Sequence, residues 1–322
     1  MNQRQKSVVV IGARGIGRHH AHWWHRAGVH VAAIAGTSEE TNARTAAELA
    51  SMFGFSGRCY VDVRRMLAEE RPDFVDVCSP PVFHFEHVMA AIEEGCHVLC
   101  EKPFVAGTGK SDSELMKQAE MLVEKAASSG RVLGLCSQYA MAAEKCLSLF
   151  RARLGRPAPA SITAELASPC KGRPPDPDGV WMDLGPHLIA CVQAMADDAE
   201  IADSTLRATG RPYHAVFSFT TKSRTHGDIR CSVHAFRTFG EPANVRRIVL
   251  DDMAFSIEGT RRPDGVYGAV YRTGSEVAED DDPMFVLIRR MACLEPPLDA
   301  GRAIQNMRWL LACRDMLRRA AC

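Results

Sequence analysis

Through the first 136 residues, short apolar runs alternate with longer helix-like stretches, and that rhythm leaves few folds open. Strands are expected over 7–11, 29–35, 74–79, 97–100 and 131–136, and helices over 16–27, 39–52, 84–94 and 111–128. Repeated strand–helix–strand order argues for a parallel sheet with helices on both faces. Runs such as Val8-Val9-Val10-Ile11 lack strict alternation, as strands buried on both sides do. After Gln138 the pattern changes. A helix over 141–154, a proline-rich stretch over 173–177 and a helix over 180–195 come first. Strand-like segments over 204–209, 214–221, 228–236, 245–250, 254–258 and 266–271 then follow with no helix between them. Turn residues such as Pro263-Asp264-Gly265 suggest an antiparallel or mixed sheet. Helices over 283–293 and 300–320 close the chain. The chain is thus read as α/β. It has a doubly wound parallel domain over 1–137, an α+β domain with a large mixed or antiparallel sheet over 138–298, and a terminal helix over 299–322 packing back toward the first domain.

Composition narrows the function. Lys plus Arg and Asp plus Glu are 39 each in 322 residues, and a net charge of zero argues against a nucleic-acid partner. No apolar run reaches the roughly 18 residues of a membrane span. Residues 1–6 are polar and lead straight into the first strand, so no signal peptide is expected. The 12 cysteines are scattered singly, with Cys96 and Cys100 the closest pair and no C-x-x-C. They read as reduced, mostly buried thiols of a cytoplasmic protein.

Gly12-Ala13-Arg14-Gly15-Ile16-Gly17 follows the first strand and opens the first helix, the position of a dinucleotide fingerprint in a Rossmann domain. Exposed N–H groups and the helix dipole there stabilise a pyrophosphate. Arg14 stands where the second glycine of G-x-G-x-x-G belongs, and the adjacent Gly15 suggests a reshaped turn. The second strand ends in Gly36-Thr37-Ser38, with no acid to bond a ribose 2′-hydroxyl. Lack of a carboxylate removes repulsion against a 2′-phosphate, and Arg14 offers a positive partner, so NADP is favoured over NAD. The competing reading leaves Arg14 as a solvated loop residue and accepts either cofactor. A short-chain dehydrogenase is excluded: Tyr139 is followed at the required spacing by Ala143, not lysine, and Lys145 lies too far along.

Two later segments carry the chemistry. Cys78-Ser79-Pro80-Pro81-Val82-Phe83-His84 ends a strand and opens a helix, and His97-Val98-Leu99-Cys100-Glu101-Lys102-Pro103 ends the next strand. Asp183-Leu184-Gly185-Pro186-His187 follows later. A glycine-rich turn, a strand-terminal Glu-Lys-Pro and a later Asp-x-Gly-x-His in this order resemble the Gfo/Idh/MocA oxidoreductases, over nearly the whole chain. The resemblance implies that Lys102 reaches the substrate oxygen beside the nicotinamide and that Pro103 locks its turn. It implies that His187 transfers the proton and that Asp183 orients it or bonds a neighbouring hydroxyl. Ser79, Pro80, His84 and Glu101 join the glycine turn at the dinucleotide. The chemistry agrees: an alkoxide needs a proton, imidazole titrates near neutrality, and an ammonium stabilises the developing charge. Asp183 and His187, four apart, share one face of a helix. Read singly, Asp183 caps a helix starting at Pro186, and Lys102 is a surface lysine.

The resemblance implies hydride transfer to or from a sugar, cyclitol or related polyol. It leaves open a redox-neutral glycoside-cleaving enzyme and a non-catalytic dinucleotide sensor. Two departures concern the pocket. Asp176-Pro177-Asp178-Gly179-Val180-Trp181 replaces a glycine-rich approach, and Gln138-Tyr139 stands where many relatives carry Asn and Arg. Gln138, Tyr139 and Trp181 are therefore substrate-pocket candidates, weighed against core packing. His19, His20, His22 and His25 invite a metal, but no acid or thiolate stands nearby in sequence, so none is expected. The resemblance also implies a homodimer or homotetramer.

Overall fold

Ser7–Ile11, four of them apolar, form the first strand, β1, and all five are buried. The computed structural model describes residues 5–196, 198–262 and 266–320. The Pro263-Asp264-Gly265 turn lies outside the described residues. Contacts divide the chain into two units, residues 1–136 with 284–307 and residues 137–283 with 308–322. Residues 284–298, assigned from chain order to the second domain, thus group with the first.

In the first unit β1 is followed by α1 (Ile16–Arg26), β2 (His30–Ala35), α2 (Glu39–Phe53), β3 (Arg58–Tyr60) and α3 (Val63–Glu70). Then come β4 (Phe74–Val77), α4 (His84–Glu93), β5 (His97–Glu101), α5 (Asp112–Ser128) and β6 (Leu133–Cys136). The six strands are parallel in the order β3-β2-β1-β4-β5-β6. That order reverses between β1 and β4, which is where such sheets bind ligands. β3 and α3 were not anticipated. Three residues of strand are too few for a periodic signal, and α3 is marked only by its Asp62 cap, which accepts from Arg65 N at 3.0 Å. Beyond β6, Leu135 N donates to Leu298 O at 2.8 Å, which ties the later segment to the sheet edge.

The second unit begins with α6 (Gln138–Leu154), β7 (Ser161–Pro169) and α7 (Pro177–Met195). It continues through β8 (Glu200–Ile201), β9 (Arg207–Arg211), β10 (His214–Ser223), β11 (Gly227–Thr238), β12 (Val245–Leu250), β13 (Met253–Arg261), β14 (Tyr267–Thr273) and β15 (Glu276–Asp281). α8 (Pro283–Ala292) belongs almost wholly to the first unit, and α9 (Ala300–Ala320) contributes to both. The sheet runs β15-β14-β13-β12-β7-β11-β10-β8, with β9 also on β10. β7 is parallel to β11 and the other pairings are antiparallel, so the sheet is mixed. β7 lies at its centre, yet the sequence reading placed no strand there. Ile162, Ala164 and Leu166 alternate correctly, but the alanines have weak β preference and prolines surround the run.

One face of this sheet is covered by α6 and α7. β11 shows the division: Ile229, Cys231, Val233, Ala235 and Arg237 are buried, and the residues between them face outward. α7 starts at Pro177 and is capped by Asp176, which accepts from Asp178 N at 3.0 Å. This corrects the idea that Asp183 caps a helix beginning at Pro186. Pro186 lies inside α7, where it has no N–H for the carbonyl four residues back. No helix among the described residues is long and apolar enough to cross a membrane.

Candidate active site

In the first unit the site is built from the turns that follow β1, β4 and β5. Gly12 has φ 84°, and a Cβ there would come within 2.7 Å of Cys78 O and Ser79 N. The β1 turn and the Cys78-Ser79 main chain can therefore touch only through a glycine. A Cβ on Gly17 would lie 2.3 Å from Gly12 O, so this glycine lets α1 start directly on the turn. Gly15 takes φ 58°, ψ −116°, a conformation reserved for glycine, and stands before α1 with open space around it. The turn is thus reshaped by one residue. Arg14 and Ile16 are both exposed on it.

The end of β2 has a physical reason to lack an acid. A Cβ on Gly36 would meet Asn42 Oδ1 at 2.1 Å, and that buried amide is held by a bond from Nδ2 to Tyr60 O at 2.7 Å. Thr37 is exposed. Ser38 is the N-cap of α2 and accepts from Thr41 N at 3.2 Å.

Ser79 Oγ lies 2.9 Å from His87 Nδ1, and Pro80 is exposed beside it. His84 requires a correction. It is fully enclosed, with Nδ1 2.9 Å from Pro103 O and Nε2 2.9 Å from Ser79 O. Burial lowers its pKa against the pull of these carbonyls, and the ring bridges the turns after β4 and β5. It supports the loops and does not face a cofactor. Glu101 is also turned inward: Oε2 accepts from Lys102 N at 3.2 Å and Oε1 lies 3.3 Å from His20 Nε2. Lys102 is half-buried and precedes a cis peptide to Pro103.

Beneath Glu101 is a cluster that sequence spacing hid. His20 Nδ1 lies 3.0 Å from Asp76 Oδ2, which also accepts from Trp24 Nε1 at 2.6 Å. Cys78 Sγ is 3.4 Å from Asp76 Oδ1 and 3.2 Å from His20 Nδ1. Cys136 Sγ approaches His20 Nε2 at 3.9 Å. Acid and thiolate candidates therefore do surround this histidine, contrary to the expectation from sequence. Burial opposes charge on His20 but is outweighed by its acidic neighbours, Cys78 and Asp76 foremost, and its pKa is held well above the ordinary range. Burial and Asp76 push the Cys78 thiol upward, and His20 beside it pulls it back down. An imidazolium between Asp76 and Glu101 accounts for the contacts of His20 through hydrogen bonds.

In the second unit, Asp183 and His187 share one half-exposed face of α7 while Leu184, Gly185 and Pro186 between them are buried. A Cβ on Gly185 would meet the Trp181 ring at 2.7 Å and Leu310 Cδ1 at 2.9 Å, so this glycine exists for packing. Asp183 Oδ2 accepts from Arg237 Nη2 at 2.8 Å, and Arg173 Nη1 is 3.9 Å away. His187 Nδ1 lies 2.8 Å from Ser137 Oγ. Ser137, fully buried, occupies the N-cap position of α6 but does not cap it. Sequence reasoning missed this residue, which reads as an ordinary cap. Tyr139 packs edge-on against His187 with ring centroids 4.9 Å apart and accepts from Arg246 Nε at 3.1 Å. Gln138 and Tyr139 line a cleft of about 500 Å³. Trp181 does not: it is wholly buried against Phe217, with Nε1 donating to Leu310 O at 3.0 Å. Its large ring fills the core, which corrects its assignment to the pocket.

Residues 6–145 match the oxidoreductase family with an NAD-binding Rossmann fold. Over 55 residues the chain is 49% identical to D-glucoside 3-dehydrogenase of Escherichia coli, a stretch that spans 17% of this chain and only 15% of that relative. It is 28% identical over 252 residues to UDP-N-acetylglucosamine 3-dehydrogenase of Acidithiobacillus ferrooxidans, covering 77% of this chain and 72% of that one. A solved structure of that enzyme matches with a TM-score of 0.73 at 23% identity, over 98% of this chain and 99% of that one. An inositol dehydrogenase homolog from Azotobacter vinelandii, complexed with NADH and myo-inositol, matches with a TM-score of 0.70 at 17% identity, over 99% and 97%. A glycine-turned parallel sheet of this strand order, followed by a mixed sheet, defines a two-unit fold whose first unit is an NAD-binding Rossmann domain. Residues 6–145 match the Gfo/Idh/MocA family model, and the fold over nearly the whole chain is that of the solved structures above.

Proposed function

We propose that the chain is an NADP- or NAD-dependent dehydrogenase that transfers a hydride to or from a carbinol carbon of a sugar, cyclitol or related polyol. The turn at Gly12, Gly15 and Gly17 fits a dinucleotide pyrophosphate: close main chain excludes a side chain at Gly12 and Gly17, and Gly15 takes a backbone conformation that favours glycine. When bound, the dinucleotide supplies or accepts the hydride. The observation that carries the reading is the bond between His187 Nδ1 and Ser137 Oγ. With Nδ1 engaged by the Ser137 hydroxyl, Nε2 is the nitrogen we assign to gain or lose the proton. His187 then takes the hydroxyl proton in oxidation and returns it in reduction. The Lys102 ammonium stabilises negative charge on the same oxygen, and Asp183 bonds a neighbouring hydroxyl.

NADP is favoured. Gly36 is closed to a carboxylate by Asn42, and Arg14 stands exposed on the β1 turn. We further propose a homodimer or homotetramer through the outer sheet face, where Glu165 pairs with Arg247 at 3.1 Å; light scattering reads it. The central test is turnover of Lys102→Ala and His187→Ala, each expected to fall about a hundredfold or more, the scale of lost acid–base help. Near-normal turnover in both rejects the assignment. Titrating NADPH and NADH by protein fluorescence tests the cofactor, and tighter NADH binding rejects the NADP preference.

A further inference from the structure

The covered face of the second sheet is largely apolar, and Arg237 and Arg246 stand on it, with the exposed Arg261 lining the same cleft as Arg246. Ile162, Ala164, Leu166, Ile248, Leu250 and Phe255 are buried on it. Arg237 is 6% exposed and is matched by the Asp183 carboxylate, with Ser168 Oγ accepting a second bond. Arg246 sits opposite Leu166 in register and is half-buried. It has no such match. Its Nε donates to the Tyr139 hydroxyl at 3.1 Å, and among the described residues no carboxylate pairs with its guanidinium. Two carboxylates line the same cleft: Glu258, which is paired with Arg272 at 3.6 Å, and Asp282. Gly259 leaves the space beside the fork open: a Cβ there would still be 3.8 Å from Arg246 Nη1.

A guanidinium drawn out of water and left without a counter-charge is unfavourable unless a ligand completes it. Arg246 is also anchored. Tyr139 fixes it through Nε, so the two η nitrogens form a preset fork of the kind that binds planar oxyanions in pairs. The anchor is shared with the proposed chemistry, because the Tyr139 ring packs on His187. The cleft of about 500 Å³ is of a size that takes a monosaccharide with a substituent.

We propose that Arg246 binds an anionic group of the substrate, a carboxylate or a phosphate, so that the enzyme acts on an acidic sugar derivative. This rests on His187 serving the reaction proposed above. The experiment measures binding and turnover separately. Isothermal calorimetry compares a hexuronate, a hexose phosphate and the neutral hexose on wild-type, Arg246→Lys and Arg246→Met proteins, with the thermal melt and NADPH fluorescence of each variant as checks on folding. At least one anionic compound is expected to bind about tenfold to a hundredfold more tightly than the neutral hexose, the scale of charge-assisted bonds. Arg246→Met abolishes that preference and Arg246→Lys keeps part of it. Preference for the hexuronate identifies a carboxylate, and preference for the hexose phosphate identifies a phosphoryl group. Equal binding of all three compounds, no binding of either anionic one, or a preference that survives Arg246→Met overturns the proposal. Arg246-dependent binding with no cofactor turnover retains the anion site and rejects the dehydrogenase. Turnover of neutral polyols without Arg246-dependent anion binding does the reverse.

Discussion

Replacing Asp183 with alanine tests whether this residue is held by the fold as well as by its proposed chemistry. Arg237 is 6% exposed, and the Asp183 side chain is 34% exposed. Removing the carboxylate leaves a buried guanidinium with the neutral Ser168 hydroxyl as its remaining bonded acceptor. Breaking a fully buried pair costs about 3–5 kcal/mol, and partial access of water to Asp183 lowers this to about 2–3 kcal/mol. At roughly 2–4 °C per kcal/mol for a chain of this size, Tm should fall by about 4–12 °C. The assay is differential scanning calorimetry of wild type, Asp183→Ala and the double variant Asp183→Ala/Arg237→Met. The double variant should recover most of the lost stability, because no uncompensated charge remains, but should not recover turnover. An unchanged Tm in Asp183→Ala, or a double variant less stable than the single one, refutes the reasoning.

The buried His20 gives a pH and chelation signature. Its folded pKa is raised above the ordinary 6.5, so its contribution to stability is full below that value and is lost as pH rises through the folded one. The Tm advantage of wild type over His20→Gln should therefore shrink toward alkaline pH, and a chelator should leave Tm unchanged; a chelator-sensitive Tm would mean a metal among His20, Asp76 and Cys78. Gly17→Ala forces a Cβ onto main-chain atoms of Gly12, at an expected cost of about 1–3 kcal/mol, and should weaken NADPH binding in a fluorescence titration. Ser137→Ala removes the group that holds His187 Nδ1. It should lower kcat about tenfold or more with little change in KM, on the scale seen for outer-shell partners of histidine.

The bounds of β1, β12 and α9 were legible in the sequence because long apolar or periodic runs set them. The parallel-then-mixed order was legible for the same reason. β7 was not, since its alternation is written in alanines. The glycine turn could be read by pattern, but not the exchange by which Gly15 takes the special conformation and leaves Arg14 exposed. Asp183 and His187 could be placed on one helix face from their spacing of four. Their partners Arg237 and Ser137 lie 54 and 50 residues away in sequence, and no local rule connects such pairs. Trp181 shows the opposite error. A tryptophan beside a motif suggests a pocket, but Gly185 opens a slot in the core that its ring fills.

The most direct measurement follows the hydride itself. The protein is incubated with reduced dinucleotide carrying deuterium at its transferable position and with the oxidised form of a candidate sugar, and the product is read by nuclear magnetic resonance. Deuterium on the new carbinol carbon, matched one for one by oxidised cofactor, is the expected result. Product formed without net oxidation of the cofactor, or deuterium lost to solvent, contradicts it.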